Sequence, residues 1–214
     1  TGAELWKVER QEKPVWATPT IHETGERTQL IVVGGDFDRG LDPVTGRELW
    51  RFARDHEVKT PTPFVAGDVI VLAGGWRGKE LHAISVAAEG EVSGDELIWT
   101  SESGGPYTST PVAYRGRVFF ARDTGIFNVL DLETGATLHR RRLGTTISAS
   151  PVASDGRVYF VSEVGDVHVL SAEPPFEELT VVDMGEPCMS TPAIADGAMF
   201  LRCRSTLWAI AGDT

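Results

Sequence analysis

A Ser/Thr-Pro pair recurs along the chain, at Thr18-Pro19, Thr62-Pro63, Thr110-Pro111, Ser150-Pro151 and Thr191-Pro192, so successive prolines stand 44, 48, 40 and 41 residues apart. Each pair leads through a turn into an apolar run: Leu30–Val33, Val69–Ala73, Val118–Ala121, Val158–Val161 and Met199–Leu201. The stretch Thr110–Gly144 shows one unit complete. Its apolar runs are punctuated by Arg115-Gly116, Asp123-Thr124-Gly125 and Asp131-Leu132-Glu133-Thr134-Gly135, giving four strands with no segment long enough for a helix. Four strands repeating at this period predict the blades of a β-propeller.

The motif residues have physical reasons. The innermost strand of a radial blade has a free edge, so a proline there forfeits little hydrogen bonding, and small Thr, Ser and Ala suit the crowding near the axis. Gly67-Asp68, Arg115-Gly116, Asp155-Gly156 and Asp196-Gly197 suit tight hairpins that need positive φ. A second marker joins third and fourth strands. Asp42–Trp50 and Asp131–His139 match position for position, the second unit carries a longer form over Ala87–Gly94, and the fourth, Ala172–Glu178, lacks Thr-Gly.

The ends complement one another. Leu207–Thr214 reads as a third strand running into its turn, and Thr1-Gly2-Ala3-Glu4-Leu5-Trp6 as the rest of that turn with a fourth strand. Counted from Pro192 to 214 and on from 1 to Pro19, the interval is again 41. The expectation is therefore an all-β, five-bladed β-propeller of four-stranded antiparallel blades, closed by the N-terminal strand completing the last blade. Residues 1–214 form a single domain in this reading, with blades near 12–54, 55–103, 104–143, 144–183 and 184–214 plus 1–11. The competing reading is five blades excised from a longer array.

Composition bounds the partners. A formal net charge of −11 opposes nucleic acid, which calls for basic patches, and opposes adsorption to an anionic bilayer. No apolar run approaches a spanning length, so direct membrane insertion is not expected, and no signal peptide is present in this chain. Cys188 and Cys203 are the only cysteines; one disulfide and two buried thiols both remain open.

Units built of Ser/Thr-Pro, an apolar strand, Gly-Asp or Asp-Gly, then Leu-Asp-x-x-Thr-Gly-x-x-x-Trp resemble PQQ-like β-propeller repeats, which occur in quinoprotein dehydrogenases and in an outer-membrane assembly scaffold lipoprotein. The resemblance covers essentially the whole chain. It implies an extracytoplasmic setting, periplasmic or secreted, and a docking role between blades for Trp6, Trp50 and Trp99, with His139 departing from the pattern. It also implies that PQQ with calcium is disfavoured here. The quinoproteins resemble one another in an adjacent cysteine pair, absent from this sequence, and usually have seven or eight blades.

No catalytic or metal constellation emerges. Asp36–Asp42 lacks the terminal Glu of a calcium loop, Gly74–Glu80 lacks phosphate-loop spacing, and the five histidines are scattered. What propeller geometry offers is the channel-mouth face, formed by fourth-to-first and second-to-third strand connections. That face is expected to carry Trp16, Asp36, Asp38, His56, Trp76, Arg77, Tyr107, Arg122, Asp123, Glu163, Met189, Arg202 and Arg204. Aromatics mixed with Arg and carboxylates suit a protein or glycan partner. The function expected is a non-catalytic binding or scaffolding module, monomeric and without cofactor. The alternatives are a reduced quinoprotein-like or five-bladed glycosidase-like enzyme, and a structural domain of a larger extracytoplasmic protein.

Overall fold

The structure, a computed structural model, describes residues 2–25, 27–54, 58–76, 80–101 and 103–212. The chain divides into two compact units, Thr1–Tyr107 and Thr108–Thr214. Among the described residues the regular elements are all strands apart from one short 3-10 turn, Gly94–Glu96.

The first unit holds two sheets. In the first, β1 (Thr20–Glu23), β2 (Thr28–Val32), β3 (Phe37–Leu41) and β4 (Glu48–Ala53) form an antiparallel meander. The second is ordered β5 (Phe64–Ala66), β6 (Val69–Leu72), β7 (His82–Ser85) and β9 (Trp99–Thr100). The long connection expected over Ala87–Gly94 contributes β8 (Gly90–Val92), which crosses to the first sheet and pairs in parallel with β4. Ile31, Trp50 and Phe52 of the first sheet pack against Ile70, Leu72 and Ile84 of the second. Alternation along the strands sends these side chains to the shared interface, while their neighbours face away.

The second unit holds three sheets. The third comprises β10 (Val112–Tyr114), β11 (Arg117–Arg122), β12 (Ile126–Asp131) and β13 (Thr137–Arg142). The fourth comprises β14 (Val152–Ser154), β15 (Arg157–Val161), β16 (Asp166–Ser171) and β17 (Glu178–Asp183). Among the described residues the fifth has β18 (Ala193–Ala195), β19 (Ala198–Arg202) and β20 (Leu207–Ala211). Phe119, Phe127 and Val129 meet Val158, Phe160 and Leu170 between the third and fourth sheets. Val161, Val167 and Val169 meet Leu201 and Cys203 between the fourth and fifth.

The closing strand expected from residues 1–11 is not formed. Residues 2–19 contain no strand, and among the described residues β20 pairs with β19 alone. The N-terminal segment is held within its own unit instead. Trp6 donates its indole N–H to the Pro43 carbonyl at 2.9 Å and lies over Gly46, where a Cβ would stand 2.7 Å from the ring. Glu12 pairs with Arg39, and the backbone of Lys13 closes over Gly35. An extended segment becomes a strand only beside an edge that takes its N–H and C=O groups, and none lies beside this one among the described residues.

The repeat motifs acquire atomic reasons. Asp42 Oδ1 accepts the amides of Val44 and Thr45 at 2.8 and 3.0 Å. Asp131 Oδ1 accepts those of Glu133 and Thr134 at 3.1 and 2.9 Å. Gly46 and Gly135 then turn the chain at φ 72° and 69°, a conformation that favours glycine. The Ser/Thr of the Ser/Thr-Pro pairs links neighbouring sheets. Ser150 Oγ accepts the Thr110 amide at 2.9 Å, and Thr191 Oγ1 accepts the Ser150 amide at 3.1 Å.

Candidate functional site

In the first unit the candidate residues sort by depth. Segment 58–59 acts as a backbone clip: Lys59 O accepts the Trp16 amide at 3.0 Å, and Val58 O accepts the Trp76 amide at 3.1 Å. Two tryptophans from distant loops are thereby held against one short segment. Both indoles face outward, Trp16 being 62% and Trp76 46% exposed, whereas the docking rings of Trp50 and Trp99 are buried. Half-buried Tyr107 meets Trp76 edge to face, with ring centroids 5.0 Å apart. Edge-to-face packing fixes a ring and leaves one face open, the geometry of a preformed aromatic contact surface.

Beneath the clip lies a buried ion cluster that sequence reasoning did not find. Asp38 Oδ2 forms an ion pair with Arg54 Nε at 2.7 Å, its Oδ1 accepts from Lys59 Nζ at 3.1 Å, and Lys59 also donates to the Arg54 carbonyl at 3.0 Å. Arg54 reaches the carbonyls of Leu72 and Ala73 in the second sheet, at 3.3 and 3.2 Å. All three residues are buried. Burial pushes the Lys59 amine down to about 8, against the opposing attraction of Asp38. The cluster ties the first sheet, the second sheet and the clip together, so its role is to position the aromatic loops above it.

Asp38 is therefore corrected from a surface candidate to a structural anchor, since a fully buried, doubly paired carboxylate has nothing to offer a partner. Asp36 is half-buried; its carbonyl accepts the Arg54 amide and its own amide meets the Glu12 carboxylate. His56 and Arg77 lie outside the described residues.

In the second unit the candidates occupy the same loop positions of successive sheets. The amide of Glu163 bonds to Thr146 O and that of Arg204 to Pro187 O, as that of Trp76 does to Val58 O. Arg122 ends β11 and is half-buried, and Asp123 O accepts the Ile147 amide. Arg202 and Arg204 are exposed, beside Met189 at 62% exposure. Cys188 and Cys203 are joined in a disulfide that fixes the loop bearing Met189 to the end of β19. The signal for this pairing was present in sequence, since both cysteines sit at connections on the same end of one unit. What was missing was their separation in space.

Trp50 is buried between the first and second sheets, whereas Trp6, expected to dock between blades, packs on the turn of its own first sheet. Trp50 Nε1 donates to buried Gln29 at 2.8 Å. In the third sheet His139 replaces Trp, and Phe176, from the fourth sheet's connection between third and fourth strands, fills the space, 5.6 Å from His139 and 6.2 Å from Phe119. Between the fourth and fifth sheets a cavity of about 440 Å³ remains, lined by Tyr159, Val169, Val182, Met199 and Ile210 among others. Among the described residues no group of His, Cys, Asp and Glu could hold a metal ion, and no helix is long and apolar enough to cross a membrane.

The family described as outer membrane protein assembly factor BamB matches residues 1–93 and 85–174. Among solved structures, BamB from Moraxella catarrhalis aligns with a TM-score of 0.73 at 14% identity, over 94% of this chain and 61% of its own. The computationally designed Ika8 protein aligns at 0.68 and 13% identity, over 88% and 57% of the two chains. The designed Ika4 protein aligns at 0.61 and 15% identity, over 80% and 99%. This chain thus spans less than two thirds of the Moraxella protein. No curated protein matches it.

Proposed function

Because the chain belongs to the BamB family of PQQ-like repeat propellers, we propose that it is a non-catalytic scaffold that holds a protein partner during outer-membrane protein assembly. The observation that carries this reading is the pair of exposed indoles, Trp16 and Trp76, clipped to segment 58–59 and buttressed by Tyr107. Rigid exposed aromatics contribute much of the free energy at protein interfaces, because they bury large area with little loss of conformational freedom. An extracytoplasmic location is part of the proposal. The Cys188–Cys203 disulfide supports it, since such bonds persist in oxidising compartments.

Trp16→Ala and Trp76→Ala, singly and together, are expected to weaken capture of an outer-membrane assembly partner by about tenfold or more. Thermal unfolding should stay close to that of the parent, because both rings lie outside the core. Equal capture by the double variant would remove this surface from consideration. The scaffold reading calls for no quinone. Titration with PQQ and calcium should leave tryptophan fluorescence flat, whereas saturable quenching would return the chain to the quinoprotein reading.

A further inference from the structure

The outer strand of the first sheet shows how an edge in this chain takes a further strand. β8 lies parallel to β4, with Gly90 beside Trp50, Glu91 beside Arg51 and Val92 beside Phe52. One carboxylate oxygen of Glu91 accepts Arg51 Nη2 at 2.6 Å and Arg51 Nε at 3.2 Å. Backbone pairing attaches such a strand, and the charge pair fixes its register.

The third sheet repeats the acceptor without the added strand. β4 and β13 follow matching turns, and both ladders shift register at the same place, between Gly40 and Leu41 and between Val129 and Leu130. Trp50 stands opposite Gly40 and His139 opposite Val129, so the next residue is Arg51 in β4 and Arg140 in β13. An arginine thus holds the same place on both outer strands. Arg51 has Glu91, whereas Arg140 is exposed and has no hydrogen bond or ion pair among the described residues. β13 pairs with β12 alone among the described residues. The connection of the fourth sheet that corresponds to the one bearing β8, residues 172–177, contains no strand and is closed on itself, the Ser171 amide bonding to Glu177 O at 2.8 Å.

Three consecutive arginines decide what this edge admits. Arg141 already holds Glu178 at 2.9 Å, and Arg142 reaches the carbonyls of Thr124 and Gly144 at 3.1 and 3.4 Å. Alternation puts Arg140 and Arg142 on one side of the strand and Arg141 on the other. Such an edge repels a basic strand and disfavours a neutral one, which would desolvate the charges without pairing them. In a chain of net charge −11 it is a local reversal of sign that suits carboxylates. We propose that the outer edge of β13 takes up an extended acidic segment of a partner protein, paired in parallel as β8 is with β4. One carboxylate of that segment lies beside Arg140 and a second, two residues on, beside Arg142. The contact uses no residue of the Trp16 and Trp76 surface, so the two are tested independently.

Amide spectra of the isotope-labelled chain, titrated with an eight-residue peptide alternating glutamate and valine, test it. Shifts and slowed hydrogen exchange are expected at residues 137–142, and a peptide alternating lysine and valine should leave them unmoved. Arg140→Glu changes an exposed side chain outside the core. It should weaken the acidic peptide by about tenfold and admit the lysine peptide instead. N-methylation of two successive central residues keeps every charge and blocks one strand hydrogen bond whichever edge of the peptide faces β13, so the slowed exchange should be lost. Trp16→Ala with Trp76→Ala should leave the titration as it is. Silence at residues 137–142, or binding indifferent to Arg140→Glu, overturns the proposal. An equal response to the methylated peptide reports charge attraction without strand addition and overturns it too.

Discussion

The clearest physical signature at the level of single residues is Lys59. Its amine is driven down by burial to about 8, below the ordinary lysine value of 10.5 that the unfolded chain restores. Between these values the unfolded state binds the proton that the folded state has lost, so stability rises with pH across that window. The penalty is fully present below about 8 and relieved toward 10.5, by on the order of 3 kcal/mol. Chemical denaturation followed from neutral to alkaline pH should show this rise, and Lys59→Met should flatten it while Arg54 keeps Asp38 paired. A parent whose stability falls steadily through that range would show that Lys59 is not held in this way. The cluster also explains why Asp38 was misread from sequence. Alternation places Asp36 and Asp38 on one side of the chain, but only folding brings Arg54, just past the neighbouring strand β4, and Lys59, five residues on, onto Asp38.

At the scale of strands and turns, third-strand and fourth-strand residues are matched as small against large. Gly40 is the tightest example: a Cβ there would come within 2.0 Å of Trp50 Nε1. Gly40→Ala should therefore displace the indole from Gln29 and destabilise the first unit by about 1–3 kcal/mol, the usual range for overpacking. A thermal melt together with the Trp50 emission maximum would measure it, and an unchanged melt would show that the indole has room. This level was the most legible in the sequence. The Asp-x-x-Thr-Gly turns, the Ser/Thr-Pro starts and the apolar second strands all fall where their spacing placed them, because each is set by local backbone chemistry. The strand expected from residues 1–11 was legible as a strand type but not as a strand. Sequence encodes what a strand would present, whereas forming it depends on an available edge. The crossing of β8 to β4 was equally hidden, since nothing in Gly90-Glu91-Val92 names the sheet it joins.

For the whole molecule, stability is spread over two compact units with different supports. The first relies on the Asp38–Arg54–Lys59 cluster. The second has the Cys188–Cys203 bond, which closes a loop with a sequence separation of 15. Loops of that size make a disulfide worth about 2–4 kcal/mol, mainly by restricting the unfolded chain. Replacing both cysteines with Ser should lower protection against amide exchange in the fourth and fifth sheets and leave the first sheet unchanged. A uniform loss over both units would show that they unfold as one.

The hydroxyl bridges between Ser/Thr-Pro pairs give the second unit a built-in gauge. The Thr110 amide is held by Ser150 of the next sheet, and the Ser150 amide by Thr191 of the one after. Neither proton belongs to the ladder of its own sheet, so fraying of a sheet does not release it. Each is freed for exchange with deuterium when two neighbouring sheets part. Two amides thus act as separate clocks, one timing the opening of the third sheet from the fourth and the other that of the fourth from the fifth.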